Sequence, residues 1–186
     1  MRVVAGQLRG RILRAPRGLA TRPTTERVRE AWFAMLGDVS GARVLDVYAG
    51  TGALGIEALS RGAPSGVFVE SAKAAVSVLR SNLANLELTE RASVIAAPAE
   101  RAQAAVMRAG PFDLVLSDPP WTALERSVKT LCSILQPTLF GPGARVVIGH
   151  PKRYELSLPE TSGLTRIDQR AWGDSGASFF VFEQRA

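Results

Sequence analysis

One cysteine, Cys132, is all that the 186 residues contain, so an internal disulfide is impossible. Lying in the apolar run Leu131 to Leu135, it reads as a core residue rather than a reactive thiol, and a reducing cytoplasm is the expected home. The chain also lacks any stretch near the roughly 18 continuous apolar residues of a membrane span, and no membrane partner is expected. Its N-terminus carries arginines where a secretion signal would carry an apolar centre. There is no internal repeat and no low-complexity tract, and no metal is expected. A hydrophobic content of 46% against 22% charged residues leaves one globular domain with a sizeable core.

Charge of one sign is unevenly spread. Residues 1–30 hold Arg2, Arg9, Arg11, Arg14, Arg17, Arg22, Arg27 and Arg29 against Glu26 and Glu30, which accounts for the whole net charge of +6. The other residues are balanced. A neutral body with an arginine-rich end points to a polyanionic partner, and arginine forks onto phosphate better than lysine does. The expected division is 1–37 as a basic arm, hairpin and helix that binds RNA, and 38–186 as the catalytic part, within one compact domain.

Residues 1–17 alternate weakly around Val3-Val4 and Ile12-Leu13, with Gly6 and Gly10 between, which predicts a small hairpin. Thr24 is the expected cap of a helix whose apolar face is Val28, Ala31, Trp32 and Met35, ending before Gly37. From Arg43 onward, strands alternate with helices: strands at 44–48, 66–69, 93–97, 112–117 and 144–149, and helices at 53–61, 72–86, 99–109 and 124–135. Leu164 to Trp172 and Ala177 to Glu183 read as an antiparallel pair joined by Gly173-Asp174-Ser175-Gly176. This is an α/β pattern, a Rossmann-like and mostly parallel seven-stranded sheet closed by a C-terminal antiparallel hairpin. Class I S-adenosylmethionine-dependent methyltransferases have that arrangement.

The first strand runs into Asp46-Val47-Tyr48-Ala49-Gly50-Thr51-Gly52-Ala53-Leu54-Gly55. Glycines let a backbone turn sharply and approach a ligand, and the helix that follows turns its first N–H groups toward the same place. Gly50, Gly52 and Gly55 also match the dinucleotide spacing, with Glu70 ending the next strand. The glycines alone therefore do not separate a nicotinamide cofactor from S-adenosylmethionine. Asp46 favours the second, because a carboxylate is a poor neighbour for pyrophosphate and a good one for a cationic methionine end. Glu70 suits ribose hydroxyls under either reading. The donor-contacting set is Asp46, Tyr48, Gly50, Gly52, Glu70 and Asp118.

The fourth strand ends in Asp118-Pro119-Pro120-Trp121. Two prolines remove two N–H donors and hold the preceding residues extended, leaving a rigid cluster of acceptors beside an aromatic plate. Methylating a planar amino group on a base calls for that combination. The nitrogen lone pair is conjugated into the ring, acceptors on its N–H bonds localise it, and an indole can stack on the extruded base. Asp118, Pro119, Pro120 and Trp121 are the catalytic candidates.

The residues Gly6, Arg9-Gly10-Arg11, Arg22-Pro23-Thr24-Thr25, Arg27, Arg29 and Glu30, the glycine turn, Glu57-Ala58-Leu59-Ser60-Arg61-Gly62-Ala63 and Asp118-Pro119-Pro120-Trp121 together resemble the RsmD family of bacterial guanine-N2 methyltransferases. The Arg-Pro-Thr-Thr stretch is the specific part of that resemblance. The resemblance implies S-adenosylmethionine as donor, S-adenosylhomocysteine as product, and 16S ribosomal RNA, within an assembling or assembled small subunit, as substrate. Arg9, Arg11, Arg14 and Arg22 are then the expected RNA-binding residues. Class I enzymes often hold the adenine with an acidic residue after the third strand; here Ala97-Pro98-Ala99 stands there, which leaves the adenine to backbone groups. Competing readings are an adenine-N6 or protein glutamine-amide methyltransferase, which usually carries Asn where Asp118 stands, a noncatalytic RNA-binding module, and a dehydrogenase.

Overall fold

Five short apolar segments separated by amphipathic helices can bury both faces only as a parallel sheet lined by helices on either side. The computed structural model, which describes residues 1–15 and 25–183, has this form. In chain order the elements are α1 (Glu26–Leu36), β1 (Arg43–Val47), α2 (Ala53–Ser60), β2 (Ser65–Glu70), α3 (Lys73–Asn85), β3 (Ala92–Ala96), α4 (Ala99–Ala109), β4 (Phe112–Ser117), α5 (Leu124–Ile134), β5 (Phe140–Pro151), β6 (Leu164–Trp172) and β7 (Ser175–Phe182). The sheet order is β3-β2-β1-β4-β5-β7-β6. β1 to β5 run parallel, and β7 lies antiparallel between β5 and β6. The expected sheet and C-terminal hairpin are both present.

β1 pairs with β2 on one side and with β4 on the other. The chain reverses its direction of travel there, so a crevice opens beyond the carboxyl end of β1, where ligands of open α/β sheets bind. One face of the sheet is covered by α1, α2 and α3 together with the N-terminal hairpin, through Trp32, Phe33, Leu59, Leu79, Leu116 and Val147. α4 and α5 cover the other, through Val106, Leu131, Val115, Ile148 and Phe180. Cys132 packs against this second core, half-buried. No helix among the described residues is long and apolar enough to cross a membrane.

Four details differ from the sequence reading. The cap of α1 is Thr25, whose hydroxyl accepts the Val28 N–H at 3.3 Å; the expected Thr24, like Arg17, Arg22 and Pro23, lies outside the described residues. The buried face of α1 is Val28, Arg29, Trp32, Phe33 and Leu36, while Met35 is exposed. Burying Arg29 turns the helix away from the stripe that apolar spacing suggests. β5 is twelve residues long, because Phe140 already pairs with Phe112 ahead of an irregularity in the ladder. The β6–β7 turn is only Gly173-Asp174, since Ser175 and Gly176 pair with Pro151 and His150 inside the sheet. A Cβ on Gly176 would lie 3.0 Å from the His150 ring, so a larger residue would crowd the single buried histidine.

The expected N-terminal hairpin is present, with Arg2 bridging Ile12 antiparallel and Val3 and Leu13 buried. It is docked rather than projecting. The N–H groups of Val4 and Ala5 donate to the two oxygens of the Glu57 carboxylate at 2.8 and 2.9 Å. Glu57 is fully buried and also accepts from Arg29 Nε at 3.3 Å and Arg61 Nε at 2.9 Å. Gly6 sits against Ser60, where a Cβ would be 1.9 Å from the carbonyl oxygen. That glycine serves close packing on α2, not the bending along an RNA backbone that its place in a basic segment suggests.

Candidate active site

β1 carries Asp46 to the edge of the crevice and then breaks. Tyr48 adopts φ +65°, followed by Gly50 at +56° and Gly52 at +86°. A left-handed tyrosine is costly, and Tyr48 is held by its side chain, whose hydroxyl lies within hydrogen-bonding reach of Ser127 and Thr130 on α5. Burial pushes the Tyr48 phenol up. Tyr48 thus directs its hydroxyl to α5 and packs, half-buried, against the second core. A Cβ on Gly52 would strike Leu79 at 2.4 Å, whereas the position over Gly50 is open.

Asp46 is 1% exposed. One carboxylate oxygen accepts the Gly55 N–H at 2.9 Å; the other is buried with no partner. Gly55 must be glycine for this contact, because a Cβ would lie 2.3 Å from the Phe68 ring and 3.1 Å from the Asp46 carboxylate. Burial pushes the Asp46 carboxyl up to about 7; the Gly55 hydrogen bond opposes this, and the negative charges of Glu70 and Asp118 add to it. An unpartnered, half-protonated carboxylate at a crevice mouth suits a cationic ligand, which would restore its charge. A donor with an ammonium group fits these residues.

Glu70 closes the glycine turn from the next strand. One oxygen accepts the Gly50 N–H at 2.8 Å, and the other accepts from Ser71 and Ala72, each at 2.8 Å. The carboxylate therefore clamps the turn and the entry to α3 in the same grip. Asn82 on α3 adds a second tie. Its amide donates to the carbonyls of Thr51, in the turn, and Arg14, at the hairpin exit, at 3.0 and 3.2 Å.

Asp46 pairs in register with Leu116, and Asp118 lies two residues beyond Leu116, so strand alternation puts both carboxylates on the same face. Asp118 is half-buried. A Cβ on Gly149 would lie 2.4 Å from an Asp118 oxygen and 3.0 Å from Trp32, so the carboxylate rests over bare backbone beside the indole. The Trp32 indole N–H and the Ser117 hydroxyl are buried without partners. Pro119 is buried and Pro120 exposed; half-buried Trp121 opens a short turn leading into α5. The structure thus brings Asp46, Glu70, Gly50, Gly52 and the Asp118 tetrapeptide to one end of the sheet.

The arginines separate into two groups. Arg9, Arg11 and Arg14 are exposed, with Arg11 reaching the Asn85 carbonyl at 2.8 Å. Arg29 is fully buried on Glu57 and the Arg2 carbonyl, so it belongs to the core. Apolar periodicity gives no signal for such a residue. Sequence reasoning also misses Gly149, whose place under Asp118 is set by where β5 passes β4. No group of three metal-binding side chains occurs among the described residues.

The family description "conserved hypothetical protein 95" matches residues 1–181. YlbH of Bacillus subtilis, named as a candidate rRNA methyltransferase, is 39% identical over 97% of this chain and 98% of its own. Ribosomal RNA small subunit methyltransferase D of Escherichia coli strain K12 is 40% identical over 70% of this chain and 66% of its own. Among solved structures, yhhF of Escherichia coli, titled as a candidate methyltransferase, superposes with a TM-score of 0.80 at 30% identity, covering 100% of this chain and 99% of the other.

Proposed function

This chain belongs to the conserved hypothetical protein 95 family, the RsmD family, and from that premise we propose that it transfers a methyl group from S-adenosylmethionine to the exocyclic N2 of a guanine in 16S ribosomal RNA. The observation that carries this reading is the pairing of two carboxylates on one face of the sheet. Asp46 is buried with one oxygen unpaired, and Asp118 stands over Gly149 beside it. One suits the cationic end of the donor; the other suits an amino group on a base.

S-adenosylmethionine, when bound, supplies an electrophilic methyl group on a sulfonium centre. The chain holds and orients. Asp46 takes the ammonium, and the Gly50–Gly52 backbone accommodates the donor's close approach. Glu70 offers the remaining capacity of its carboxylate to the ribose while fixing the turn. Asp118 and the neighbouring carbonyls accept the guanine N–H bonds, localise the nitrogen lone pair and stabilise the charge that develops there. Trp121 stacks on the base and sets its angle. No strong base is needed, since the proton can leave after transfer. Arg9, Arg11 and Arg14 grip RNA phosphates from the docked hairpin. Arg22, outside the described residues, is assigned to the same task on sequence alone.

The test is methylation of unmethylated small ribosomal subunits with labelled donor, followed by digestion to nucleosides. The label is expected in N2-methylguanosine of 16S RNA. Label in N6-methyladenosine or in protein hydrolysate would overturn the assignment.

A further inference from the structure

Beyond the catalytic tetrapeptide, the carboxyl end of the sheet carries a second concavity of about 310 Å³, lined by Trp121, Pro151, Lys152, Arg153, Gly173 and Asp174. Its volume is at the lower end of the range for small-molecule sites. Three elements build it. Trp121 follows β4, Pro151 to Arg153 continue from β5, and Gly173-Asp174 is the β6–β7 turn. β5 pairs with β4 along this end of the sheet, so the concavity adjoins Asp118 with Trp121 as the common wall.

Its floor is fixed. The Lys152 N–H donates to the Asp174 carbonyl at 2.8 Å, and the Tyr154 N–H donates to the Pro151 carbonyl at 2.9 Å. The buried His150 lies with Nδ1 2.9 Å from that same Pro151 carbonyl and Nε2 2.9 Å from the Ser178 hydroxyl. A carbonyl can only accept, so Nδ1 carries the proton and Nε2 accepts from Ser178. Desolvation holds the His150 pKa below its ordinary value, so the ring is a neutral spacer. Lys152 and Arg153 are exposed on this anchored backbone. Two cations to one carboxylate leave the concavity positive, although the chain beyond residue 30 is neutral overall.

We propose that this concavity is a phosphate subsite for the substrate RNA, in which Lys152 and Arg153 hold the phosphodiester adjoining the target nucleotide while Trp121 separates it from the base being methylated. The inference rests on the ribosomal RNA reading above and adds to it a contact outside the N-terminal hairpin. A phosphate held one residue from the target restricts where the extruded base can lie, so the subsite contributes to positioning as well as affinity. Arginine and lysine on an anchored backbone suit a phosphodiester.

The experiment compares the wild type, the double variant Lys152→Gln/Arg153→Gln, and a control that loses the same charge from exposed positions on α4 and α5, Arg108→Gln/Lys129→Gln. Steady-state methylation of unmethylated small subunits is measured at several salt concentrations, beside calorimetry with S-adenosylhomocysteine and thermal melting. The Lys152/Arg153 variant is expected to raise KM for subunits by roughly tenfold and to flatten the salt dependence by about one to two units. Its donor affinity and melting temperature should stay at wild-type values. KM and salt slope equal to those of the control variant would overturn the subsite while leaving the ribosomal RNA reading intact. Failure of the wild type to methylate subunits, with donor binding retained, would overturn that reading and the subsite with it.

Discussion

Two buried carboxylates on either side of the glycine-rich turn, Asp46 before it and Glu57 after it, are treated in opposite ways. Glu57 on α2 is fully buried and has both oxygens occupied, by the N–H groups of Val4 and Ala5 and by Arg29 and Arg61. Asp46 on β1 is buried nearly as completely, yet it receives one hydrogen bond and leaves an oxygen bare. A buried charge left unpaired is expensive, and the protein spends four contacts avoiding that at Glu57. The contrast separates a carboxylate that holds the fold together from one kept available for a ligand. Apolar patterning cannot distinguish them, because both appear as single acidic residues among hydrophobic ones.

The most severe way to break the comparison is Glu57→Ala. It strands Arg29 in the core and frees two hairpin N–H groups. Loss of about 3–5 kcal/mol is expected in urea unfolding, the range for removing one partner of a buried pair. A loss below about 1 kcal/mol would show that Glu57 is not the hub of hairpin docking.

Asp46→Asn should act in the other direction on stability. Burial holds the folded Asp46 carboxyl at about 7, above its ordinary value of 3.8, so its contribution is fully present below about pH 4 and is lost as pH rises through about 7. Asparagine removes that loss but leaves a buried amide N–H without an acceptor, so a net gain of roughly 1–2 kcal/mol at pH 8 is expected. In the wild type, donor affinity should rise with pH through the same window, and in the variant it should be weak and flat. Calorimetry with S-adenosylhomocysteine from pH 5 to about pH 9 checks this; a pH-dependent variant would mean another group titrates.

Gly149→Ala sharpens the comparison by adding the third carboxylate. A methyl group there would have to displace the end of the Asp118 side chain from beside Trp32. The added carbon also lies 3.0 Å from the buried Trp32 ring, which must shift as well, so the melting temperature should fall modestly. The single-turnover methyl-transfer rate should fall about tenfold or more, a loss of roughly 1.4 kcal/mol of transition-state stabilisation, with donor affinity retained. The smallest effect is expected from Arg9→Ala/Arg11→Ala/Arg14→Ala. Hairpin docking runs mainly through backbone groups and Glu57, and the variant loses only the exposed Arg11 contact to the Asn85 carbonyl, so stability should fall by no more than about 1 kcal/mol. The salt slope of RNA binding should drop by up to about one unit per lost contact; an unchanged slope would remove the hairpin from the RNA interface.

β1, β2 and β4 were legible because each is a short apolar run closed by a glycine turn, a polar residue or proline; α4 and β4 begin and end where their patterns do. The candidate site was legible where chemistry is local. Asp46, Gly50, Gly52 and Asp118 are neighbours in sequence or occupy equivalent strand ends. The rest depends on partners far along the chain. That Arg29 is internal is decided by Glu57, 28 positions away, and that Gly6 is a packing residue is decided by Ser60. Adjacent threonines cap a helix equally well on paper, so the choice of Thr25 needed the turn itself. Tyr48 turns toward α5 because Ser127 and Thr130 wait there, a fact that no property of the Gly-rich motif contains.

The docking of the hairpin also imposes an order in time. Residues 1–15 leave the ribosome before the groups that hold them. The Val4 N–H waits for Glu57, 53 residues later; the Arg14 N–H waits for Asn82, 68 later; and the Arg11 guanidinium waits for Asn85, 74 later. Closing such loops costs entropy that only the completed α2 and α3 can offset. The basic segment is thus an early product of synthesis and a late part of the folded protein.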